Sequence, residues 1–333
     1  MTGSPLLSVI VAAHDLQGGL DSCLRSVLAQ SFTDLEVVVV ADPSSACRTD
    51  VAEAHRRGDA RVSVVHLDAT ASIGRIRNAG AARARGEYLL FLDSDHLLWG
   101  GTLRAMADRL DACDRPDLLL FGHTRLHRGQ SWPGAAAGLL AGDDGRPFTL
   151  AQRPDLLAAP AYSWDRLIRR GLWTRESLAF PDGLHEEVTA MHHALFTASR
   201  IAVLKWECVQ IRRRHTQHPA GSPDGTPFDV FARYEDSFEL LGRSGQSAAA
   251  PHLFTRMVRH YLFLLGLSGH LSTRERPRFF DRAGEHYQRF LPEGYERPPG
   301  REGVKFQLLS NGGYSAFQAA RLPAMARALL PHS

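Results

Sequence analysis

Four short runs of apolar and β-branched residues, separated by segments of helical length, dominate the first hundred residues. They are Leu7-Ser8-Val9-Ile10-Val11-Ala12, Leu35-Glu36-Val37-Val38-Val39-Val40, Val62-Ser63-Val64-Val65-His66-Leu67 and Tyr88-Leu89-Leu90-Phe91-Leu92. A run that is apolar on consecutive residues suits a strand covered on both faces, which is the condition of a parallel sheet. Between the runs, Gly19 to Gln30, Cys47 to Arg57 and Ile73 to Arg85 read as helices. Gly86 then stands where a helix C-cap glycine belongs. Strand–helix–strand alternation at this spacing means βαβ units. The chain is therefore expected to be α/β, with a Rossmann-like, mostly parallel sheet flanked by helices.

From Asp117 the pattern loosens. Leu118 to Phe121 reads as a strand, and Gly129 to Gly145, rich in Gly and Ala, as a loop or lid. A helix is expected from Glu187 to Ser199 and a strand from Ile201 to Leu204. The breaker cluster from His218 to Pro227 marks a boundary between a first domain, residues 1–221, and a C-terminal helical domain, residues 222–333. Helices are expected there from Phe228 to Leu241, Pro251 to Ser268 and Arg274 to Phe290. A last basic, amphipathic one runs from Tyr314 to Leu330. That helix is read as packing on the first domain or on a second copy of the chain, and peripheral contact with a membrane surface stays open.

Composition narrows the function classes. Of 333 residues, 44% are apolar and 23% charged, which excludes disorder and a disulfide miniprotein. The net charge of +3 is too small for a general nucleic-acid binder, so none is expected as a partner. Cys23, Cys47, Cys113 and Cys208 form no CxxC pair and read as free thiols of a reducing cytoplasm. The N-terminal segment lacks the basic region of a signal peptide, and no apolar run reaches membrane-spanning length.

The densest chemistry is Phe91-Leu92-Asp93-Ser94-Asp95-His96. Asp93 and Asp95 leave the carboxyl end of a buried strand, where open α/β sheets place their ligands. Residues i and i+2 on a strand point the same way, so two carboxylates can face one site. Such a pair repels unless a cation lies near, and oxygen ligands select a hard ion, Mg²⁺ or Mn²⁺. The plainer alternative is a solvated loop or a helix N-cap. Upstream, Arg75 and Arg77 fall in the first turns of a helix, where backbone N–H groups already favour an anion and arginine adds bidentate phosphate contacts. An exposed arginine-bearing helix is the competing reading. Neither GxGxxG nor GxxxxGK[ST] occurs, which argues against nicotinamide enzymes and P-loop kinases. A nucleotidyltransferase would need a glycine-rich, lysine-bearing N-terminal loop, and none is present.

In combination, these segments resemble family 2 glycosyltransferases with the GT-A fold. The resemblance is carried by Val9 to Asp15, Cys23 to Phe32, Glu36 to Asp42, Arg77-Asn78-Ala79-Gly80 and Gly86 to Asp95. It continues more loosely through Ala161 to Leu167 and Phe180 to Val188, and ends near Arg212-Arg213-Arg214. Those later stretches resemble bacterial members that glycosylate wall polymers and exopolysaccharides. The resemblance divides the first domain into a donor half to about residue 115 and an acceptor half from about 116.

The resemblance implies a nucleotide-diphosphate sugar donor, a UDP-sugar first among them, and inversion at the anomeric carbon. It implies a carbohydrate or small-molecule acceptor and Mn²⁺ or Mg²⁺ as cofactor. Asp93, Ser94 and Asp95 would then be the metal and diphosphate motif, with Asp95 the direct ligand and Arg77 on the diphosphate or the nucleotide. Ala12, Ala13, His14 and Asp42 would line the nucleobase, and Arg212 and Arg214 would help close the donor site. Glu187 matches the general-base position, with Glu186 beside it as the alternative. Trp164 and Asp165 would form an acceptor platform, although a packing role for Trp164 competes. Departures fall around the nucleobase, where Ala12-Ala13-His14-Asp15 and Ala41-Asp42-Pro43-Ser44 replace the usual Pro-Val-Tyr-Asn and Asp-Asp-Gly-Ser. Glu187 also stands for the usual aspartate, and His96 for a commoner acidic residue. A non-catalytic nucleotide-sugar or glycan-binding module with the same fold is the alternative function.

Overall fold

The computed structural model describes residues 3–13, 19–41, 43, 46–127, 130–142, 145–212 and 225–319, without the side chains of 46–48, 127 and 212. The four apolar runs form β1 (Leu7–Ala12), β2 (Leu35–Ala41), β3 (Val62–His66) and β4 (Tyr88–Asp93). These pair in parallel in the order β3-β2-β1-β4. The intervening helices are α1 (Leu20–Leu28), α2 (Ala46–Gly58) and α3 (Ile73–Arg83). Every residue of β1 and β2 is buried because both faces are covered. Val9, Val11, Val37 and Val39 share a core with Cys23, Leu24 and Val27 of α1, whereas Ile10, Val38 and Val40 pack with Ile76 of α3. A Cβ on Gly80 would lie 2.3 Å from Ile10 Cγ2, so only glycine lets α3 settle this closely on β1.

Gly86 does not cap α3. The helix ends on Ala84, which is extended (φ −64, ψ 137) and not left-handed. Gly86 is instead a close-approach residue, since a Cβ there would meet Ser8 N at 2.6 Å. Its N–H donates to Ser8 Oγ (2.8 Å), and Ser8 Oγ donates in turn to the buried Glu36 carboxylate (2.7 Å). Burial alone would raise the Glu36 pKa, but hydrogen bonds from Ser8 and Arg85 outweigh it and hold the carboxyl below its ordinary value.

Beyond β4 come β5 (His96–Leu98), α4 (Thr102–Ala112), β6 (Leu118–His127), β7 (Gln130–Pro133), α5 (Ala137–Ala141), β8 (Arg166–Arg169), α6 (Arg170–Arg175), α7 (Glu186–Thr197) and β9 (Ile201–Arg212). β8 inserts between β4 and β6, antiparallel to both, while β6 and β9 run parallel and β5 closes the edge against β9. The sheet is thus parallel in its first four strands and mixed beyond them. The stretch expected to be a loop or lid carries β7, a hairpin partner of β6, and the short helix α5. β8 escaped the sequence reading because only Leu167 and Ile168 of its four residues are apolar.

The C-terminal region holds α8 (Asp229–Ser244), α9 (Ala250–Gly266), α10 (Glu275–Phe290) and the unforeseen α11 (Gly300–Ser310). A further helix begins at Tyr314, and residues 320–330 of the expected last helix lie outside the described residues. Most of the expected boundary at 218–227 also lies outside them. Val230, Phe231 and Tyr234 of α8 join the same core as Met191 of α7 and Ile10 of β1. No helix among the described residues is long and apolar enough to cross a membrane. Cys23, Cys113 and Cys208 are buried free thiols.

Candidate active site

The site lies at the carboxyl ends of β1 and β4, which meet where Ala12 pairs with Asp93. Ala12 and Ala13 are fully buried, and Ala13 N–H is held by Val40 O at 2.9 Å. β4 ends at Asp93, so Ser94 and Asp95 form a turn into β5. The same-face argument for two carboxylates on one strand therefore fails for Asp95, which reaches this edge through the turn. Gly19 backs that turn closely, since a Cβ there would lie 2.7 Å from Asp95 Cα. His96 Nε2 sits 3.8 Å from Asp93 Oδ2 and 3.7 Å from Asp95 Oδ1, so the buried imidazole neighbours both carboxylates.

Arg77 is the hub. It sits in the second turn of α3, whose N-cap Ser72 accepts from Arg75 N. Arg75 is exposed, whereas the Arg77 side chain is only 4% exposed. Its Nη2 meets Asp93 Oδ1 at 2.7 Å and Glu187 Oε1 at 3.4 Å, and its Nη1 donates to Glu186 Oε1. Burial works against the charge, but Asp93, Glu187 and Glu186 overcome it and raise the pKa, so the guanidinium stays charged.

Glu186 and Glu187 open α7, and the chain enters it through left-handed His185 (φ 60). The two carboxylates diverge. Glu186 is locked on Arg77, while Glu187 Oε1 accepts the backbone N–H of Ser163 (2.9 Å) and its hydroxyl. Burial pushes the Glu187 carboxyl up, Arg77 pulls it down and Glu186 and Asp93 push it up again, which leaves it at about 7. Burial raises Glu186 as well.

Trp164 stacks on Tyr162 with ring centroids 4.5 Å apart and meets the edge of His96 at 4.7 Å. Asp165 turns inward. It is 4% exposed and bonded to Arg166 at 2.9 Å, which turns its carboxylate away from the surface that Trp164 lines. His192 is a core histidine bonded to Ser237 Oγ (3.0 Å) and pushed down to about 3 by burial. His14, Asp42, Arg214, His215, His218 and the side chain of Arg212 lie outside the described residues.

Among the described residues one guanidinium thus faces Asp93, Glu186 and Glu187, and Asp95 lies in the adjoining turn. No group of three or more His, Cys, Asp or Glu among the described residues could hold a metal by itself. Asp93 and Asp95 are an all-oxygen donor set. It fits a hard divalent ion taking one or two carboxylates, the rest of its shell coming from phosphate oxygens and water.

Residues 8–122 match the model of glycosyl transferase family 2. Over those residues the chain is similar to family 2 glycosyltransferases. It is 26% identical over 180 residues to the putative glycosyltransferase EpsH of Bacillus subtilis, a match that covers 54% of this chain and 51% of EpsH. It is 36% identical over 110 residues to the succinoglycan biosynthesis protein ExoO of Rhizobium meliloti, covering 32% of this chain and 30% of ExoO. The chain thus spans about half the length of EpsH or less of such relatives. The crystal structure of S. aureus TarS 1-349 in complex with UDP-GlcNAc superposes with a TM-score of 0.73 over 93% of this chain and 89% of that one. At 20% identity the likeness establishes the fold, which is GT-A with a helical C-terminal region.

The matched span holds Arg77, Asp93 and Asp95 but ends before Glu186 and Glu187. Those two are joined to it by contact, through Arg77. Ser163 was not singled out from sequence. Its signal was present in the Tyr162-Ser163-Trp164 segment, but a serine beside two aromatics is unremarkable until the fold sets it against Glu187.

Proposed function

We propose that the chain catalyses inverting, metal-dependent transfer of a sugar from a nucleotide-diphosphate sugar to a hydroxyl of a glycan, wall polymer or small-molecule acceptor. The observation that carries the reading is the meeting of Arg77 with Asp93, Glu186 and Glu187 at the carboxyl edge of the sheet. A UDP-sugar is the first donor to test, because TarS, which shares the fold, was crystallised with UDP-GlcNAc and with UDP.

In this reading Asp95, with Asp93, would hold Mn²⁺ or Mg²⁺, which when bound offsets the charge that gathers on the departing diphosphate. Arg77 adds fixed positive charge next to Asp93. Glu187 takes the proton of the attacking hydroxyl. A carboxylate raised to about 7 suits that task, because proton transfer is most effective when the pKa lies near the working pH. Ser163 fixes one oxygen of Glu187, and Trp164 gives the acceptor a flat face. The free thiols favour a cytoplasmic setting.

The test is thermal shift against a panel of nucleotide sugars, with Mn²⁺ and with chelator, followed by donor hydrolysis and transfer on each hit. Stabilisation by one donor only with metal supports the reading. Metal-dependent binding without turnover on any acceptor would instead favour a binding module.

A further inference from the structure

We infer that Asp229 and Arg233, on the first two turns of α8, are positioning residues for the carboxylate at 187, so that the helical region sets the geometry of the reacting site. The inference rests on the transfer reading, with Glu187 as base. Asp229 Oδ2 accepts the backbone N–H of Leu184 at 3.0 Å, just ahead of α7. The same oxygen accepts Thr226 N (3.0 Å), and Oδ1 accepts the Thr226 hydroxyl (3.2 Å). Two glycines make room for this carboxylate. A Cβ on Gly183 (φ +98) would lie 2.6 Å from Asp229 Oδ2, and one on Gly225 (φ +114) would lie 2.1 Å from it. An acidic residue in the first turn of a helix is ordinary, and the Thr226 bonds need no more than that. A bond to a backbone amide 45 positions earlier, cradled by two positive-φ glycines, is not explained by helix capping.

One helical turn on, Arg233 Nη2 donates to Asp182 O at 2.8 Å. The same face continues along α7, where Thr189 Oγ1 donates to Arg233 O (3.3 Å) and His192 pairs with Ser237. Residues 229, 233 and 237 are spaced to share one side of a helix, so α8 lies along the segment that carries Glu186 and Glu187. The opposite side of residues 180–184 is tied to α3. Ser72 Oγ donates to Asp182 Oδ1 (2.8 Å), Asn78 Nδ2 donates to Phe180 O (2.8 Å), and Phe180 N donates to Asn78 Oδ1 (2.9 Å). The segment is therefore clamped between the helix that presents Arg77 and the first helix of the C-terminal region. That clamp fixes the direction in which His185 turns the chain, and with it the divergence of Glu186 toward Arg77 and Glu187 toward Ser163.

The test uses the full chain and the variants Asp229→Ala, Asp229→Asn, Arg233→Gln and Glu187→Gln. Two readouts are taken: UDP release from UDP-GlcNAc with Mn²⁺, and amide hydrogen exchange over residues 180–190, which needs no ligand. For Asp229→Ala the expected result is kcat lower by about tenfold to a hundredfold, the loss that a base displaced by about 1 Å would give, with donor KM within about twofold. Amide exchange at 182–187 should rise while β1 and β4 keep their protection. Asp229→Asn, which keeps one accepting oxygen, should fall between wild type and Asp229→Ala. An unchanged kcat in Asp229→Ala, or unchanged exchange at 182–187, overturns the positioning role. Turnover retained in Glu187→Gln overturns the base assignment separately, and the exchange arm still decides whether Asp229 holds the segment. If Asp229→Ala does not fold, Arg233→Gln carries the same two readouts.

Discussion

Arg77 and Glu186 make a buried ion pair that joins the second turn of α3 to the first residue of α7, 109 positions later in the chain. Their side chains are 4% and 8% exposed, so neither charge can turn to water when its partner is removed. Arg77→Met should therefore destabilise the fold by about 3–5 kcal/mol, the usual cost of stranding one member of a buried pair. Arg77→Lys keeps the charge, but an ammonium lacks the planar fork that spans Asp93 and Glu186 together. It should fold with a smaller loss and still bind donor poorly. Urea unfolding of both variants checks the order, and equal stability of Met and wild type would mean the pair is not structural.

Asp95 lies in the turn after β4, beside His96. Asp95→Ala should abolish transfer and the metal-dependent part of the donor-induced shift, while the midpoint of unfolding without ligand moves by no more than a few degrees. Circular dichroism melts with donor and Mn²⁺, repeated with chelator, separate the two effects. Full activity in this variant would remove the metal from the proposed mechanism.

The two glutamates are expected to separate by phenotype. Glu187→Gln should bind donor as wild type does and lose transfer by at least about a hundredfold, in line with the contribution of a general base. Glu186→Gln should weaken the hold on Arg77 and act first on donor binding and stability. Isothermal titration with donor, next to single-turnover transfer, measures both. A dead Glu186→Gln beside an active Glu187→Gln would exchange their roles.

The donor half of the fold was legible because both faces of β1, β2 and β4 are buried. Continuous runs such as Val37 to Val40 leave no other way to hide so much apolar surface, and β1 to β4 formed where those runs lie. Asp93 and Arg77 were legible for the same reason, each tied to the end of an element that the pattern defines. Glu186 and Glu187 could be marked only by family resemblance, since nothing local distinguishes them from an acidic first turn of a helix. Asp165 misled because a carboxylate next to a tryptophan looks available, whereas Arg166 holds it inside. Gly86 misled because a glycine after a helix suggests a cap, and the requirement for glycine came instead from Ser8, across the sheet. β8 and the grip of Asp229 on Leu184 arise only when distant segments meet.

The Glu187 environment also fixes a pH dependence. As a base it works only when ionised, and burial holds its pKa at about 7, so kcat/KM should rise with pH through that value and level off above it. Stability should run the other way. From the ordinary carboxyl value of 4.5 up to about 7, the folded chain keeps a proton on Glu187 that the unfolded chain has released. The native state then binds more protons than the unfolded one, and the free energy of unfolding falls as pH rises across that window. Glu187→Gln, which cannot titrate, should lose this contribution to the slope and gain stability relative to wild type as pH rises. Unfolding curves at pH 5, 6, 7 and 8 for both proteins make the comparison, alongside a pH–rate profile of wild type. A rate that is flat between pH 6 and 8, with parallel stability curves for the two proteins, would show that Glu187 ionises as an ordinary surface carboxylate does and is already charged across that range.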